Sequence, residues 1–230
     1  MGARELLPPA PIEAVLFDFH STLVDPGPAQ AWLSLAAARL GREVSRVSVE
    51  TSTKLDFFWE RAREVDPEGT RDLSEARHRE VFAILAAEIP GLDADLVDAL
   101  RETLLDTWIA YDDAVPTLQA LRDLGVKVVV LSNAGLDIRP VLDRVGFTPL
   151  VDHLVLSRDV QSVKPDPGIF RAALDQAGVD AGAALMVGDA WTDDGGAADL
   201  GIRTLILPRT PMPRHGLAVV TALVEASRWV

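Results

Sequence analysis

Apolar residues in this chain follow two periodicities, and each predicts a different kind of element. The short run AVLF at residues 14–17 shows no alternation, which predicts a strand buried on both faces of a sheet. From Pro26 to about Asp112 the apolar residues recur every three to four positions, and Gly and Pro separate the segments. The helical segments are QAWLSLAAARLG, TKLDFFWERAREV, LSEARHREVFAILAAEI and DADLVDALRETLLDTWIAY. One strand followed by an all-helical block is therefore predicted.

Beyond this block the pattern alternates between helix and strand. The predicted helices are AVPTLQALRDLG, IRPVLDRVG, DPGIFRAALDQAG and the short DDGGAADLG, and the predicted strands are residues 126–132, 151–157, 184–189 and 202–208. Residues 208–216 are predicted to form a surface loop. Such alternation is typical of a parallel sheet with helices on both faces.

The predicted fold class is a doubly wound α/β protein with an inserted helical domain. Residues 1–25 and 113–230 form the predicted core, and residues 26–112 form the all-helical insertion. In such a core, ligands bind at the carboxyl ends of the strands, near the switch in strand order. The candidate chemistry is therefore expected at those ends.

Composition and charge narrow the function classes. The chain has 230 residues, of which 48% are apolar, and its formal net charge is −13. This charge disfavours nucleic acid and anionic membranes as partners. Cysteine is absent, which excludes disulfides, thiolate metal sites and a cysteine nucleophile.

The N-terminal segment MGARELLPPAPIE has no apolar stretch of the kind that a signal peptide needs. No stretch approaches the roughly 20 continuous apolar residues of a membrane span. A cytoplasmic location is therefore the expectation. The oligomeric state cannot be read from the sequence.

Polar residues collect after four of the predicted strands, as expected for a site at one edge of the sheet. In chain order they are Asp18 with His20, Ser21 and Thr22; Ser132 and Asn133; Lys164; and Asp189 with Asp193 and Asp194. Several carboxylates in one crevice repel one another, and a hard divalent cation relieves that repulsion. Mg²⁺ fits, because it prefers oxygen ligands and is commonly bound beside phosphate. An aspartate here can also act as a nucleophile toward phosphorus.

The motifs FDFHSTL, LSN, KPDP and VGDAWTDD resemble, in order and spacing, the four motifs of the haloacid dehalogenase superfamily. The helical block resembles that superfamily's cap domain, which is inserted between the first motif and the rest of a Rossmann-like core. The resemblance covers nearly the whole chain. Each motif alone is weakly specific, but four in order, each after its own predicted strand, are strongly specific. The resemblance implies a Mg²⁺-dependent hydrolase of small phosphorylated metabolites.

Residue roles follow from the same resemblance. Asp18 matches the nucleophile that forms an aspartyl-phosphate, Ser132 the phosphate-binding hydroxyl and Lys164 the stabilising lysine. Asp189 and Asp194 match the acidic pair of the metal motif. The predicted protein ligands of Mg²⁺ are Asp18, Asp189, Asp194 and the backbone carbonyl of His20, and the predicted substrate-binding residues are Ser132, Asn133 and Lys164.

His20 departs from the superfamily pattern. Phosphatases of the superfamily usually carry a second aspartate two positions after the nucleophile, where it acts as acid and base, whereas phosphonate-cleaving relatives carry Ala and dehalogenating relatives carry Tyr. In one account His20 replaces the aspartate as acid and base, since an imidazole titrates near neutrality. In a second, the proton catalyst is lost and the protein is a slow hydrolase or a phosphate-binding scaffold. In a third, the reaction is not phosphoryl transfer, although dehalogenation needs no metal and the metal motif is retained.

Two residues of the fourth motif, Asp193 and Trp191, have open interpretations. The spacing favours Asp194 over Asp193 as the metal-facing carboxylate, which leaves Asp193 as a solvated residue or a helix N-cap. Trp191 is expected near the cap, with packing at the surface as the preferred interpretation.

Overall fold

The computed structural model describes residues 10–43, 48–210 and 213–229. Residues 1–9 of the predicted core, residues 44–47 of the predicted helical block, residues 211 and 212 of the predicted loop and residue 230 lie outside the described residues.

The core of the fold is a five-stranded parallel sheet. Its strands are β1 (Ala14–Phe17), β4 (Lys127–Ser132), β5 (His153–Leu156), β6 (Ala184–Gly188) and β7 (Arg203–Ile206), and a separate two-stranded ribbon contains β2 (Val24–Asp25) and β3 (Ile109–Ala110). The sheet order is β5-β4-β1-β6-β7, so chain order reverses on either side of the central β1. The predicted doubly wound α/β class is confirmed, and the switch in strand order lies at the end of β1.

The helices divide into an inserted set and a set that flanks the sheet. Between β2 and β3 lie α1 (Ala29–Arg39), α2 (Val49–Asp56), α3 (Phe58–Val65), α4 (Glu75–Ala87) and α5 (Ala94–Thr103). After β3 come α6 (Ala114–Asp123), α7 (Arg139–Arg144), α8 (Ser157–Val160), α9 (Pro167–Ala177), α10 (Trp191–Asp194) and α11 (Ala218–Ala226). None of the helices in the described ranges is long and apolar enough to cross a membrane.

Burial on both faces of the sheet explains the non-alternating apolar run of β1. Val15 and Phe17 belong to one hydrophobic cluster, whereas Ala14 and Leu16 belong to another on the opposite face. All four side chains are fully buried. A strand covered by helices on both faces has no polar positions to alternate, which is why the run is continuous in the sequence.

The inserted helices have a hydrophobic core of their own, here called the cap cluster. It includes Trp32 and Leu33 of α1, Phe58 of α3 and Phe82 of α4. Because this cluster is separate from the two clusters that line the sheet, the helices between β2 and β3 pack as a cap. The exact bounds of 26–112 for this domain stay a prediction.

Several elements differ from the sequence-based prediction. TKLDFFWERAREV forms two helices, α2 and α3, which meet at Phe57. DADLVDALRETLLDTWIAY ends as helix at Thr103, and its last residues form β3, which pairs antiparallel with β2. These strands have only two residues each, too few to show a period in the sequence.

A short ribbon, β2 with β3, is where the chain leaves and re-enters the core. Asp25 at the end of β2 accepts hydrogen bonds from the Gly27 amide at 2.7 Å and from the Tyr111 hydroxyl at 3.2 Å. The side chain of Asp25 therefore holds the outgoing and returning chains together beside the cap.

Helix α11 has no counterpart among the predicted elements. It is fixed by Asp113, whose carboxylate accepts hydrogen bonds from the backbone amides of His215, Gly216 and Leu217 at 3.0, 2.8 and 2.9 Å. His215 is buried and stacks on Tyr111, with ring centroids 4.8 Å apart. The predicted surface loop at residues 208–216 is thus partly buried in its described residues.

The cap docks on the core through a segment between α3 and α4, residues 71–73. The hydroxyl of Ser157 donates to the carbonyl oxygen of Asp72 at 2.5 Å and accepts from the Ala134 amide at 2.9 Å. The side-chain amide of Gln161 donates to the carbonyl oxygen of Leu73 at 3.0 Å. These bonds hold the segment against the loop that follows β4.

Gly135 lies where the core and cap backbones approach closely. A Cβ atom at Gly135 would lie 2.1 Å from the carbonyl oxygen of Arg71, so the cap backbone would have to move. We expect Gly135→Ala to lower the free energy of unfolding by about 1–3 kcal/mol, as overpacking does, and to raise the KM for any substrate enclosed by the cap. Urea unfolding and steady-state kinetics measure the two effects.

Gly182→Ala is the matched control for this substitution. Gly182 has an ordinary backbone conformation and open space where the Cβ would go, so its effect should stay within about 0.5 kcal/mol. Equal effects of the two substitutions would contradict the docking role of Gly135.

Candidate active site

Strand register brings the ends of three neighbouring strands to one point. Phe17 of β1 is level with Val130 of β4 and with Val187 of β6. The residue after β1 is Asp18, and its amide donates to the carbonyl oxygen of Val187 at 2.8 Å. Ser132 and Asp189 follow at the ends of the two flanking strands, so both lie beside Asp18, as the parallel sheet predicts.

Lys164 lies at the centre of this site. Its ammonium nitrogen is 2.7 Å from Oδ1 of Asp18 and 2.7 Å from Oδ1 of Asp194. The side chains of Lys164 and Asp194 are 3% and 1% exposed. Burial lowers the pKa of Lys164, but the two carboxylates outweigh it and hold that pKa above its usual value. The lysine is therefore a permanent cation between two buried carboxylates.

Asn133 fixes the backbone from which Lys164 projects. Its side-chain oxygen accepts from the amide of Lys164 at 2.7 Å, and its side-chain nitrogen donates to the carbonyl oxygen of Lys164 at 3.1 Å. Asn133 lines the same cavity as Ser132 and Lys164. The Asn133 side chain therefore links the second motif, LSN, to the third motif, KPDP. Contact between Asn133 and substrate stays a prediction.

Three carboxylates converge at the site. Asp18, Asp189 and Asp194 each offer an oxygen within 4.8 Å of the others. Burial, together with the charges of Asp18 and Asp194, raises the pKa of Asp189 to about 7. Burial also raises the pKa of Asp194. Mutual repulsion of this kind is what a divalent cation relieves, and an all-oxygen donor set suits Mg²⁺.

Close packing explains the glycine of the fourth motif. A Cβ atom at Gly188 would lie 2.0 Å from Oδ2 of Asp194, so only glycine leaves room for this carboxylate. The same Oδ2 accepts a hydrogen bond from the Ala190 amide at 3.1 Å. Asp194 is thereby aimed at Asp18 and Asp189, as the motif spacing predicts, whereas Asp193 points elsewhere.

Asp193 forms an ion pair between core and cap. Its Oδ2 is 2.9 Å from the Nη2 atom of Arg63 on α3. Neither sequence-based interpretation of Asp193 includes this contact. Its partner lies 130 positions away along the chain, so no local pattern indicates the pair. Trp191, the first residue of α10, is 74% exposed, as its surface interpretation expects.

His20 lines the cavity, but its imidazole is held as an uncharged ring. Its Nδ1 is 3.2 Å from the hydroxyl of Ser21, and its Nε2 is buried without a hydrogen-bond partner in the described residues. The ring packs edge-on against Trp108 at a centroid distance of 4.9 Å. Burial, with a smaller contribution from Arg209, lowers the pKa of His20 to about 4.

A single cavity of about 810 Å³ covers the site and extends into the cap. Its core wall contains Asp18, Ser132 and Lys164, and its cap wall contains Trp59 and Asp72. Trp59 and Arg61 both lie on α3, whose apolar periodicity is visible in the sequence; Trp59 lines the cavity, whereas Arg61 pairs with exposed Glu64 and Glu88. Asp72, by contrast, carries no sequence signal, because no motif or period marks a cap residue that faces the core.

Comparison with known proteins shows which family shares this arrangement. Residues 12–201 match the family model described as "Hydrolase: haloacid dehalogenase-like hydrolase". A 2-haloacid dehalogenase from Pseudomonas syringae pv. Tomato DC3000 is a similar solved structure, with a TM-score of 0.62 and 29% identity over 95% of this chain and 100% of that one.

Curated relatives carry different activities. Glyceraldehyde 3-phosphate phosphatase from Methanopyrus kandleri is 29% identical over 80% of this chain and 78% of its own length. Haloacid dehalogenase-like hydrolase domain-containing protein 3 from Danio rerio is 31% identical over 134 residues, and the match spans only 55% of that protein. Phosphatases and dehalogenases therefore both occur among the proteins that this chain resembles.

Proposed function

The chain belongs to the haloacid dehalogenase-like hydrolases, and from this membership we propose that it is a Mg²⁺-dependent hydrolase of small phosphorylated metabolites. In this proposal the reaction proceeds through an aspartyl-phosphate on Asp18. A cytoplasmic location remains a prediction.

The convergence of Asp18, Asp189 and Asp194 is the observation that carries the proposal. Hydrolysis of a carbon–halogen bond by an aspartate needs no metal, so three converging carboxylates favour phosphoryl chemistry. These residues, with the backbone carbonyl of His20 as a further predicted ligand, would hold Mg²⁺. When bound, the cation supplies Lewis-acid polarisation of phosphoryl oxygens and offsets their negative charge.

The protein's own side chains account for the other parts of the reaction. The Oδ2 atom of Asp18 accepts a hydrogen bond from Thr22 Oγ1 at 2.9 Å, and Oδ1 is bound to Lys164, so the nucleophile is held in one orientation. Lys164 places a fixed positive charge where negative charge develops on the transferring group. The hydroxyl of Ser132 is the proposed hydrogen-bond donor to a phosphoryl oxygen.

Cap closure would exclude bulk water from this chemistry. The docked segment at Asp72 and the ion pair between Arg63 and Asp193 both join the cap to the core beside the cavity. A closed cavity strengthens electrostatic interactions within it and protects a reactive acyl-phosphate from adventitious hydrolysis.

A substrate panel with and without Mg²⁺ tests the proposed function. We expect release of inorganic phosphate from small phosphate esters with Mg²⁺, and loss of that activity after EDTA treatment with recovery when Mg²⁺ is restored. Halide release from 2-haloacids, measured in parallel, is the counter-assay. Metal-independent halide release would establish the dehalogenase alternative, and binding of phosphate esters without turnover would establish a non-catalytic phosphate-binding protein.

A further inference from the structure

We propose that Asp72, supplied by the cap, is the general acid and base of this enzyme. The inference rests on the proposed phosphatase function and assigns the proton transfer that the first motif leaves without an aspartate. The sequence-based alternative gives this role to His20.

The backbone of Asp72 is anchored on the catalytic core. Its carbonyl oxygen accepts from Ser157 Oγ at 2.5 Å, and the same hydroxyl accepts from the amide of Ala134, two residues after Ser132. Asp72 is thus linked through Ser157 to the loop that directly follows Ser132, the proposed phosphate-binding residue. Asp72 is also one of the residues that line the cavity containing Asp18 and Lys164.

The carboxyl group of Asp72 is buried and lies near charges of both signs. Burial raises its pKa to about 6; the charges of Arg71 and Lys164 oppose the rise, and those of Asp66 and Asp193 add to it. Its ion pair with Arg71 is long, at 3.4 Å, and Arg71 is shared with Asp66. A carboxyl group that titrates near neutrality can both donate and accept a proton in one catalytic cycle.

His20 is less suited to this transfer. Its Nε2 atom is buried without a hydrogen-bond partner in the described residues, and its Nδ1 atom is 3.2 Å from the hydroxyl of Ser21. Its side chain is packed against Trp108. The ring is therefore held by packing, and at this position it can offer one hydrogen bond to the leaving group or to water.

The proposed steps balance in protons. An oxygen of the Asp18 carboxylate forms a bond to phosphorus while the bond from phosphorus to the ester oxygen breaks, and protonated Asp72 gives its proton to that oxygen, which releases the alcohol. Water then attacks phosphorus and gives a proton to the Asp72 carboxylate, while the bond from phosphorus to Asp18 breaks. Inorganic phosphate leaves, and both aspartates return to their starting states.

Leaving-group dependence provides the test. An alkyl ester such as ethyl phosphate needs a proton donor, whereas 4-nitrophenyl phosphate releases a stable anion. In Asp72→Asn we expect kcat/KM for ethyl phosphate, relative to that for 4-nitrophenyl phosphate, to fall by about 10²-fold or more. With 4-nitrophenyl phosphate we expect a burst of one nitrophenolate per active site, because hydrolysis of the aspartyl-phosphate becomes slow.

Two matched variants separate catalysis from structure. Asp66→Asn alters a carboxylate that accepts from the Arg71 amide at 2.7 Å and from Thr70 Oγ1 at 2.7 Å, so it loosens the same segment without touching the cavity. We expect it to lower stability and leave the ratio of the two esters unchanged. His20→Asn should change that ratio by less than about threefold, because a lost hydrogen bond is a small effect beside a lost proton donor.

The pH profile gives a second readout. A general acid must be protonated, so the wild-type kcat/KM for ethyl phosphate should decline as pH rises above the pKa of Asp72, and this limb should disappear in Asp72→Asn.

A fall of 10²-fold in the ester ratio for His20→Asn, alone or together with Asp72→Asn, would overturn the assignment. Absence of turnover of either ester by the wild-type protein would instead overturn the proposed function itself, before any variant is compared.

Discussion

Asp18→Asn is expected to lower kcat for phosphate esters by about 10⁴-fold or more, the scale on which removal of a covalent nucleophile acts in other hydrolases. The asparagine side chain has the same shape but lacks the anionic oxygen that attacks phosphorus. The measurement is phosphate release under saturating Mg²⁺, with acid-quenched samples examined by mass spectrometry for the phosphoryl adduct on residue 18. The adduct should be present in the wild-type protein and absent in the variant.

Asp193→Asn is the matched control for this substitution. Asp193 belongs to the same motif as Asp194 and borders the same cavity, but it pairs with Arg63 of the cap. Because a partly exposed ion pair contributes only about 0.2–1 kcal/mol, its loss should change kcat by less than tenfold. Retention of activity in Asp18→Asn would show that the aspartyl-phosphate does not form, and the proposed mechanism would then be wrong.

The core of this fold was predictable because its signals are local. A strand buried on both faces leaves a continuous apolar run, and the carboxyl edge of a parallel sheet collects the residue that follows each strand. Asp18, Ser132 and Asp189 could therefore be placed together from the sequence alone. The register at Phe17 then brings them side by side.

The contacts between cap and core were not predictable in the same way. Arg63 reaches Asp193 and Asp72 reaches Ser157 across 130 and 85 positions. Helical periodicity shows that a side chain faces away from solvent, but it does not show which neighbour it faces. The split at Phe57 and the two-residue strands β2 and β3 were missed for a related reason, since packing against other elements fixes them.

His20 shows what a motif alone can and cannot establish. Its position was identified by comparison with the superfamily pattern, and that comparison raised the question of the proton donor. Whether the ring is charged depends on Trp108 and on burial, neither of which the motif contains. The structure therefore adds a second candidate for the proton donor, Asp72 of the cap segment, which borders the same cavity as His20.

Lys164 couples the stability of the metal-free protein to the proposed metal site. Its ammonium group is the cation bound directly to Asp18 and Asp194, and all three side chains are buried. When one partner of a buried ion pair is removed, the remaining charge loses its compensation, which destabilises a protein by about 3–5 kcal/mol. A second cation at the same carboxylates should offset that loss.

Lys164→Met is accordingly expected to lower the free energy of unfolding by about 3–5 kcal/mol in EDTA at pH 7, and to lower kcat by about 10²–10³-fold through loss of electrostatic stabilisation. Methionine fills the space of the aliphatic stem, so charge is the main change.

Urea unfolding with and without Mg²⁺ measures the effect. The stabilisation by Mg²⁺ should be larger in the variant than in the wild type, because Mg²⁺ then supplies the missing positive charge. Lys54→Met is the control, since Lys54 is exposed, its pair with Glu50 is long, at 3.4 Å, and its hydrogen bond to the Glu88 carbonyl oxygen, at 2.7 Å, is also exposed; it should change stability by less than about 1 kcal/mol. An equal Mg²⁺ effect in all three proteins would show that the cation does not bind at Asp18 and Asp194.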